Sequence, residues 1–193
     1  MLTITSRMTL TGLSGREITD FLLECDDVAY QAWWPGTHRE LHVIAPSRDR
    51  SHVGDLVWMD ERVGSRHLRM AAEVLQVVPG ERVVWGLRPW RLRLPVRLVL
   101  TLRDLDAGVV LCHTLTAGWT GWARVFDPLW RVYFSESFAR AMDTHARTEF
   151  ERLGPLLHPD GPGPSAPEAT RGPQPQSPRS AGESECGASS RES

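Results

Sequence analysis

The sequence lacks lysine entirely, although it carries an ordinary share of charge. All 22 basic residues among its 193 are arginines, and 24 acidic residues leave a formal net charge of −2. Without lysine, neither a Schiff base nor a lysine nucleophile can form. A nucleic-acid-binding protein usually carries an excess of positive charge on one face. No such excess is present, so we expect no nucleic-acid partner.

Long apolar segments and the common cofactor motifs are also missing. No apolar run reaches the roughly 18 residues that a membrane-spanning helix requires, so we expect no stable membrane insertion. The N-terminal residues contain no apolar signal-peptide core, and we expect a cytoplasmic protein. The three cysteines show no CxxC spacing, and there is no phosphate loop or dinucleotide fingerprint. We therefore expect neither a metal ion nor a cofactor.

The end of the chain differs in composition from the rest. From Pro159 onward the sequence contains no Val, Ile, Leu, Met, Phe, Tyr or Trp, whereas Pro, Ser and Gly are abundant. Such a segment cannot bury enough apolar surface to offset the entropy lost on ordering. We predict one folded domain over residues 1–157 and a disordered tail over residues 158–193.

Within the folded domain, the patterns follow one another in a definite order. A strand at about 2–10 precedes a helix that begins at the capping box Ser14–Glu17. A second short helix ends at Trp34, because Pro35 and Gly36 cannot continue it. Alternating apolar residues then predict six strands, at about 37–44, 53–61, 66–78, 82–88, 92–102 and 109–115. A single amphipathic helix is predicted from Asp127 to Gly154.

Three segments carry a resemblance to a known superfamily. They are the junction Trp33-Trp34-Pro35-Gly36, the hairpin EVLQVVPGERVVW at 73–85 and the helix end HARTEFERLGPLL at 145–157. With the order of elements, they resemble the START/Bet v 1-like (SRPBCC) helix-grip superfamily, which includes polyketide cyclases and lipid-transfer proteins. The resemblance implies an α+β helix-grip fold, in which a curved antiparallel sheet of about seven strands surrounds a long C-terminal helix. It also implies an internal apolar cavity that opens near the two short helices.

Several residues are candidates for the wall of that cavity. His113 is the one polar residue on the inward-facing set of the seventh strand, and His145 and Glu149 lie one turn apart on the inner face of the long helix. The small residue Ala146 on that face is expected to leave room for a ligand, so that Ala146→Leu would impair binding more than stability. The predicted ligand-binding residues are Trp33, Trp34, Trp85, His113, Met142, His145 and Glu149.

Histidines and carboxylates in a dry cavity allow more than one interpretation. His113, His145 and Glu149 are candidate acid–base groups, since burial shifts pKa values toward neutrality. They equally fit structural roles, in which each is paired with a neighbouring side chain. A metal site formed by His145 and Glu149, with His113 as third ligand, is not expected, because a His–Glu pair at this spacing is common on charged helices.

The function that these patterns favour is binding of a small hydrophobic molecule, such as a lipid, a polyketide or an aromatic metabolite. Abundant tryptophan and the absence of an established catalytic motif favour a binding protein over an enzyme. Two alternatives stay open: a cyclase or dehydratase that uses the cavity histidines and glutamate, and an interaction module that uses the Pro-rich tail. The oligomeric state is left open by the sequence.

Overall fold

The computed structural model describes residues 1–48, 51–88, 94–119 and 121–160. Strand β1 (Leu2–Thr11) is followed by helices α1 (Gly15–Glu24) and α2 (Asp27–Trp33). Six further strands come next: β2 (His38–Ala45), β3 (Leu56–Val63), β4 (Arg66–Val78), β5 (Arg82–Leu87), β6 (Val96–Leu105) and β7 (Gly108–Ala117). A short 3-10 helix at Gly121–Phe126 leads into helices α3 (Asp127–Tyr133) and α4 (Glu136–Leu157).

The seven strands form one antiparallel sheet in the order β1-β7-β6-β5-β4-β3-β2. The predicted α+β architecture is therefore confirmed, including the capping box, in which Glu17 accepts from the Ser14 amide at 2.8 Å. Part of the alternation that predicted strand six, at Leu92 and Arg93, lies outside the described residues, as does the tail from residue 161 onward. In the described ranges, no helix is both long and apolar enough to cross a bilayer.

The C-terminal helix departs from the sequence prediction at both ends. Residues 127–154 do not form one helix, because Phe134 leaves the helical conformation (φ −96°, ψ 65°) and separates α3 from α4. Ser135 then starts α4 anew, with its hydroxyl accepting from the Phe138 amide. At the other end, α4 continues through Gly154 and Pro155 to Leu157. Leu156 and Leu157 pack against the core there, and this burial outweighs the helix-stopping preference of the Gly-Pro pair.

Buried apolar side chains form two separate clusters under the helices. The first, which we call the α1-side core, joins residues such as Ile18, Leu111 and Phe150. The second, the α3-side core, joins residues such as Val96, Phe134 and Phe138. Helix α4 contributes to both. Side chains of both clusters also line the cavity described below.

Ala146 belongs to the α1-side core and is completely buried. It lines no part of the cavity described below, so the expectation that it leaves room for a ligand is wrong. The helix packs directly on the sheet at this position, and a small residue is what permits the close approach.

We expect Ala146→Leu to destabilise the fold by about 1–3 kcal/mol, because the added carbons overpack a filled core. Denaturant unfolding measures the change. Ala139→Leu is the matched control, since Ala139 is on the same helix but only partly buried, and its cost should be smaller. Equal stability of Ala146→Leu and the wild type would contradict this packing.

Candidate binding cavity and its polar cluster

A cavity of about 470 Å³ lies between the concave face of the sheet and the helices. Strands β3 to β7 supply about half of its wall, and β2 and the helices α1 to α4 supply most of the rest. Most of the lining side chains are apolar, and they include Leu68, Ala72, Val96, Leu98, Leu100 and Phe138. The polar lining residues include Asp55, His67 and Arg69, and three others, Glu61, His145 and Glu149, meet where α4 passes β3.

Six of the seven residues predicted from the sequence lie in the cavity wall. They are Trp33, Trp85, His113, Met142, His145 and Glu149. His113 points inward from β7, between Leu111 of the α1-side core and Leu115 of the α3-side core. It lies on the inward-facing set of β7, as the strand parity predicted, and it lines the cavity.

Trp34 does not line this cavity. Its ring stacks on the outer side of His145, with ring centroids 4.9 Å apart, and the Arg152 guanidinium lies over the Trp34 ring at 5.2 Å from its centroid. It lines instead a separate surface depression with residues such as Thr37 and Arg140. The reason is the end of α2: Trp34 is its C-cap and leaves the helical conformation (φ −144°, ψ 85°), so its side chain does not continue the helix face that carries Trp33.

Two glutamates and two histidines meet beside the cavity, where α4 passes β2 and β3. We call His38, Glu61, His145 and Glu149 the His/Glu cluster; one ligand-type atom from each lies within 4.8 Å of the others. His38 and Glu61 are directly opposite each other in the β2–β3 ladder. His145 and Glu149 are one turn apart on α4. The cluster therefore joins the sheet edge to the helix.

The distances within the His/Glu cluster are longer than hydrogen bonds. His38 Nε2 is 3.5 Å from Glu149 Oε1, and His145 Nε2 is 3.4 Å from Glu61 Oε2 and 3.8 Å from Glu149 Oε2. Well-formed N–H···O bonds measure about 2.7–3.2 Å. Both Nε2 atoms are buried and have no hydrogen-bond partner among the described residues.

Outer contacts fix the orientation of the cluster. The Tyr30 hydroxyl donates to Glu61 Oε2 at 2.8 Å, and the Tyr30 ring stacks on the His38 ring at 3.9 Å between centroids. His38 Nδ1 lies 3.2 Å from the Tyr30 carbonyl oxygen. The Trp33 indole donates to the backbone carbonyl of Glu149 at 2.7 Å, which ties α2 to α4 at this level. Tyr30 thus holds one carboxylate and one imidazole at once.

Burial shifts the pKa values of the cluster in opposite directions. Desolvation raises the pKa of Glu149 to about 8, with the Glu61 charge adding to the shift and His145 opposing it. Desolvation lowers the pKa of His38 to about 4. For Glu61, desolvation is outweighed by His145 and Tyr30, and its pKa is lowered. For His145, the nearby carboxylates outweigh desolvation, and its pKa is raised.

His113 stands apart from the cluster, although the sequence suggested grouping it with His145 and Glu149. Desolvation lowers its pKa to about 4, so the imidazole is neutral at physiological pH. It contacts the Phe150 ring at 6.4 Å between centroids. Because one ring nitrogen donates to a backbone carbonyl, the neutral imidazole has one nitrogen left as an acceptor toward the cavity.

The sequence prediction missed Tyr30, His38 and Glu61. A partial signal was present, since His38 begins the second strand and Glu61 ends the predicted third strand. The register that sets them opposite each other was not predictable, because β2 and β3 are joined by a loop of ten residues and their pairing contains two irregularities. Nothing in the pattern of α2 indicates that Tyr30 reaches β3.

Comparisons with known proteins agree on the fold. The sequence matches no protein-family profile and no curated protein. In structure, the chain is similar to a START superfamily protein from Mycobacterium smegmatis (13% identity, TM-score 0.57, covering 80% of this chain and 98% of that one). It is also similar to a protein from Thermus thermophilus (14% identity, TM-score 0.55, 83% and 100% covered).

A third similar structure is the di-domain ARO/CYC BexL from the BE-7585A biosynthetic pathway. Identity is 14% and the TM-score 0.52, with 79% of this chain and 48% of that chain covered, so the chain corresponds to about half of it. These likenesses establish the fold: this chain has the helix-grip fold of the START/Bet v 1-like superfamily. At such low identity, they carry no residue-level information about the cavity.

Tyr30→Phe tests whether the hydroxyl bond to Glu61 supports the cluster. We expect a loss of about 1–3 kcal/mol in unfolding free energy, because a buried carboxylate oxygen loses its donor. Chemical denaturation measures it. The chain's other tyrosine provides the control, since Tyr133 is half exposed and Tyr133→Phe should change stability by less than about 0.5 kcal/mol. Equal effects of the two substitutions would contradict a supporting role for the Tyr30 hydroxyl.

Proposed function

We propose that the protein binds one small, mainly apolar molecule in the cavity between the sheet and α4. The observation that carries the proposal is the cavity itself, with its volume of about 470 Å³ and its largely apolar wall. Small-molecule sites have volumes of about 300–1,000 Å³, apolar walls and a few placed polar groups. The cavity agrees with each of these properties.

The size of the cavity argues against an incidental packing defect. Protein cores are close-packed, and their voids rarely exceed one water molecule. Engineered core cavities cost about 24 cal/mol per Å³, so a void of this size would cost on the order of 10 kcal/mol if it formed inside an otherwise filled core. That is comparable to the whole stability of a typical domain. A space this large is therefore better understood as one kept open for a ligand.

The placement of polar groups defines the class of ligand. Glu61, His145 and Glu149 line the cavity where α4 passes β3, whereas Leu94, Val96 and Phe134 line it at the α3-side core. A molecule with an apolar body and one polar head would match both regions. Such molecules include the lipids, polyketides and aromatic metabolites that the sequence analysis named, and the name of one similar structure, an ARO/CYC from a biosynthetic pathway, is consistent with this class.

An acid–base role for His113, His145 and Glu149 stays a prediction. The Pro-rich tail as a partner-binding segment also stays a prediction, because it lies outside the described residues. A molecule recovered from the cavity allows the first alternative to be tested directly. If that molecule is converted to a product by the wild-type protein, and His113→Ala slows the conversion by about 100-fold, the protein is an enzyme and not only a binder.

Native mass spectrometry of the freshly purified protein is the first test of binding. We expect a bound apolar molecule that is released on denaturation and that extraction into organic solvent recovers. If nothing co-purifies, and no affinity is found across panels of lipids and aromatic compounds, the proposal is wrong.

A substitution that fills the cavity is the second test. Ala72 is buried on β4 and lines the cavity, so Ala72→Leu should weaken ligand binding by about 10-fold or more, equivalent to about 1.4 kcal/mol. Stability without ligand should not fall, because the added carbons enter open space. Ala146→Leu is the matched control: the same change in the filled core should lower stability and leave the affinity of the folded protein unchanged. The reverse pattern would contradict the assignment of the cavity as the binding site.

A further inference from the structure

We propose that the His/Glu cluster is a binding site for one divalent transition-metal ion, with His38, Glu61, His145 and Glu149 as its four protein ligands. Two imidazoles and two carboxylates are the ligand types that Zn²⁺ and its neighbours in the first transition series accept. This proposal does not rest on the binding of an organic molecule, because metal binding can be measured in its absence.

The spacing of the ligand atoms favours a metal over direct hydrogen bonds. Zn²⁺ bonds to His nitrogen and carboxylate oxygen at about 2.0–2.2 Å, so tetrahedral ligand atoms are about 3.3–3.6 Å apart. The contacts of 3.5 Å between His38 and Glu149 and of 3.4 Å between His145 and Glu61 fall in this range. The contact of 3.8 Å between His145 and Glu149 is slightly longer. The remaining separations, all within 4.8 Å, require side-chain movements on the order of 1 Å to close the shell.

The orientation of His38 independently indicates a cation. Its Nδ1 lies 3.2 Å from the Tyr30 carbonyl oxygen, which can only accept, so Nδ1 must carry the proton. In the neutral imidazole, Nε2 then bears a lone pair, and this lone pair faces a carboxylate oxygen of Glu149. At 3.5 Å the two atoms are farther apart than in a well-formed hydrogen bond, and this separation matches that of two ligand atoms on one metal ion.

The same contacts supply the outer support typical of metal sites. In a histidine that binds a metal, the N–H of the second ring nitrogen usually donates a hydrogen bond to a carbonyl or carboxylate. The Nδ1–H of His38 donates in this way to the Tyr30 carbonyl. Ligating carboxylates are usually hydrogen-bonded as well, as Glu61 is by the Tyr30 hydroxyl. Side-chain exposures of 0% for His38, 5% for His145, 10% for Glu61 and 12% for Glu149 keep bulk water from competing.

Charge balance is consistent with a divalent ion. When both carboxylates are ionised, a doubly charged cation between them offsets their mutual repulsion and leaves the group neutral. The chain contains no lysine that could do the same, and Arg152, whose charge acts on His38, lies over the Trp34 ring. Three of the four ligands also line the cavity, so the ion would present one face to a molecule bound there.

Metal analysis of the full-length protein, with any affinity tag removed, tests the proposal. The protein is treated with a chelator, dialysed and titrated with Zn²⁺ or Co²⁺. We expect one equivalent to bind with a Kd below about 1 µM, and Co²⁺ to give the intense visible bands of a tetrahedral site. The melting temperature should rise with metal concentration, since binding to the folded state alone stabilises it.

Glu149→Gln distinguishes a metal ligand from a structural hydrogen-bonding group. The amide has the shape of the carboxylate and can donate to His38 Nε2, so a structural network would survive the change. A metal ligand would be lost, and binding should weaken by at least about 100-fold, more than the 10–100-fold typical of losing a group that only supports a ligand. Tyr30→Phe should weaken binding by about 10-fold, because Tyr30 holds Glu61 without touching the ion. His42→Asn is the control, because His42 forms an exposed pair with Asp27 outside the cavity and should not affect the metal.

Two results would overturn the proposal. One is the absence of stoichiometric uptake by the folded wild-type protein. The other is a Glu149→Gln variant, shown to be folded by circular dichroism, that binds Zn²⁺ as tightly as the wild type, since the metal would then lie elsewhere. Neither result bears on the binding of an apolar molecule, which depends on the Ala72 side of the cavity.

Discussion

The burial of two carboxylates and two imidazoles between β2, β3 and α4 constrains the whole molecule. Taking charged groups out of water costs several kcal/mol each unless partners compensate. The compensation here comes from three different elements, because Tyr30 of α2, Glu61 of β3 and Glu149 of α4 must all be in position together. A shift of α4 along the sheet would leave some of these groups without partners. The cluster therefore fixes the position of α4 at His145 and Glu149 relative to β3 and α2.

The cavity follows from that fixed position and from the break between α3 and α4. The α1-side core holds α4 against β1 and β7 through close contacts such as that at Ala146, and the α3-side core supports its beginning through Phe134 and Phe138. On β7, His113 lies between Leu111 of the first cluster and Leu115 of the second, and it lines the cavity.

The sequence predicts the scaffold well because the scaffold depends on local rules. Alternation along the strands, the Ser14–Glu17 capping box and the turn at Pro35-Gly36 each determine a structure over a few residues, and each is found as predicted. The inward position of His113 follows from parity alone. The C-terminal helix was less predictable, since Gly154-Pro155 favours a stop that the packing of Leu156 and Leu157 overrides.

The polar cluster was only half predictable, for a physical reason. His145 and Glu149 share a helix face, and helical periodicity is enough to pair them. His38 and Glu61 meet across a strand pair whose register depends on a long loop and on irregular pairing, and no rule of local sequence sets that register. Trp34 shows the same limit, since the exact residue at which α2 ends decides whether this side chain continues the helix face toward the cavity.

The two proposals concern adjacent parts of one space and make different physical demands. The apolar part requires only that volume be preserved, so it tolerates exchange among side chains of similar size. The His/Glu cluster requires atoms at defined separations, and it leaves two buried imidazole nitrogens without hydrogen bonds among the described residues. Buried groups of this kind in a native structure ordinarily have a partner. The Nδ1–H of His38 donates to the Tyr30 carbonyl, so its Nε2 lone pair faces Glu149. A cation bound at this position would give both imidazole nitrogens and both carboxylates one common partner.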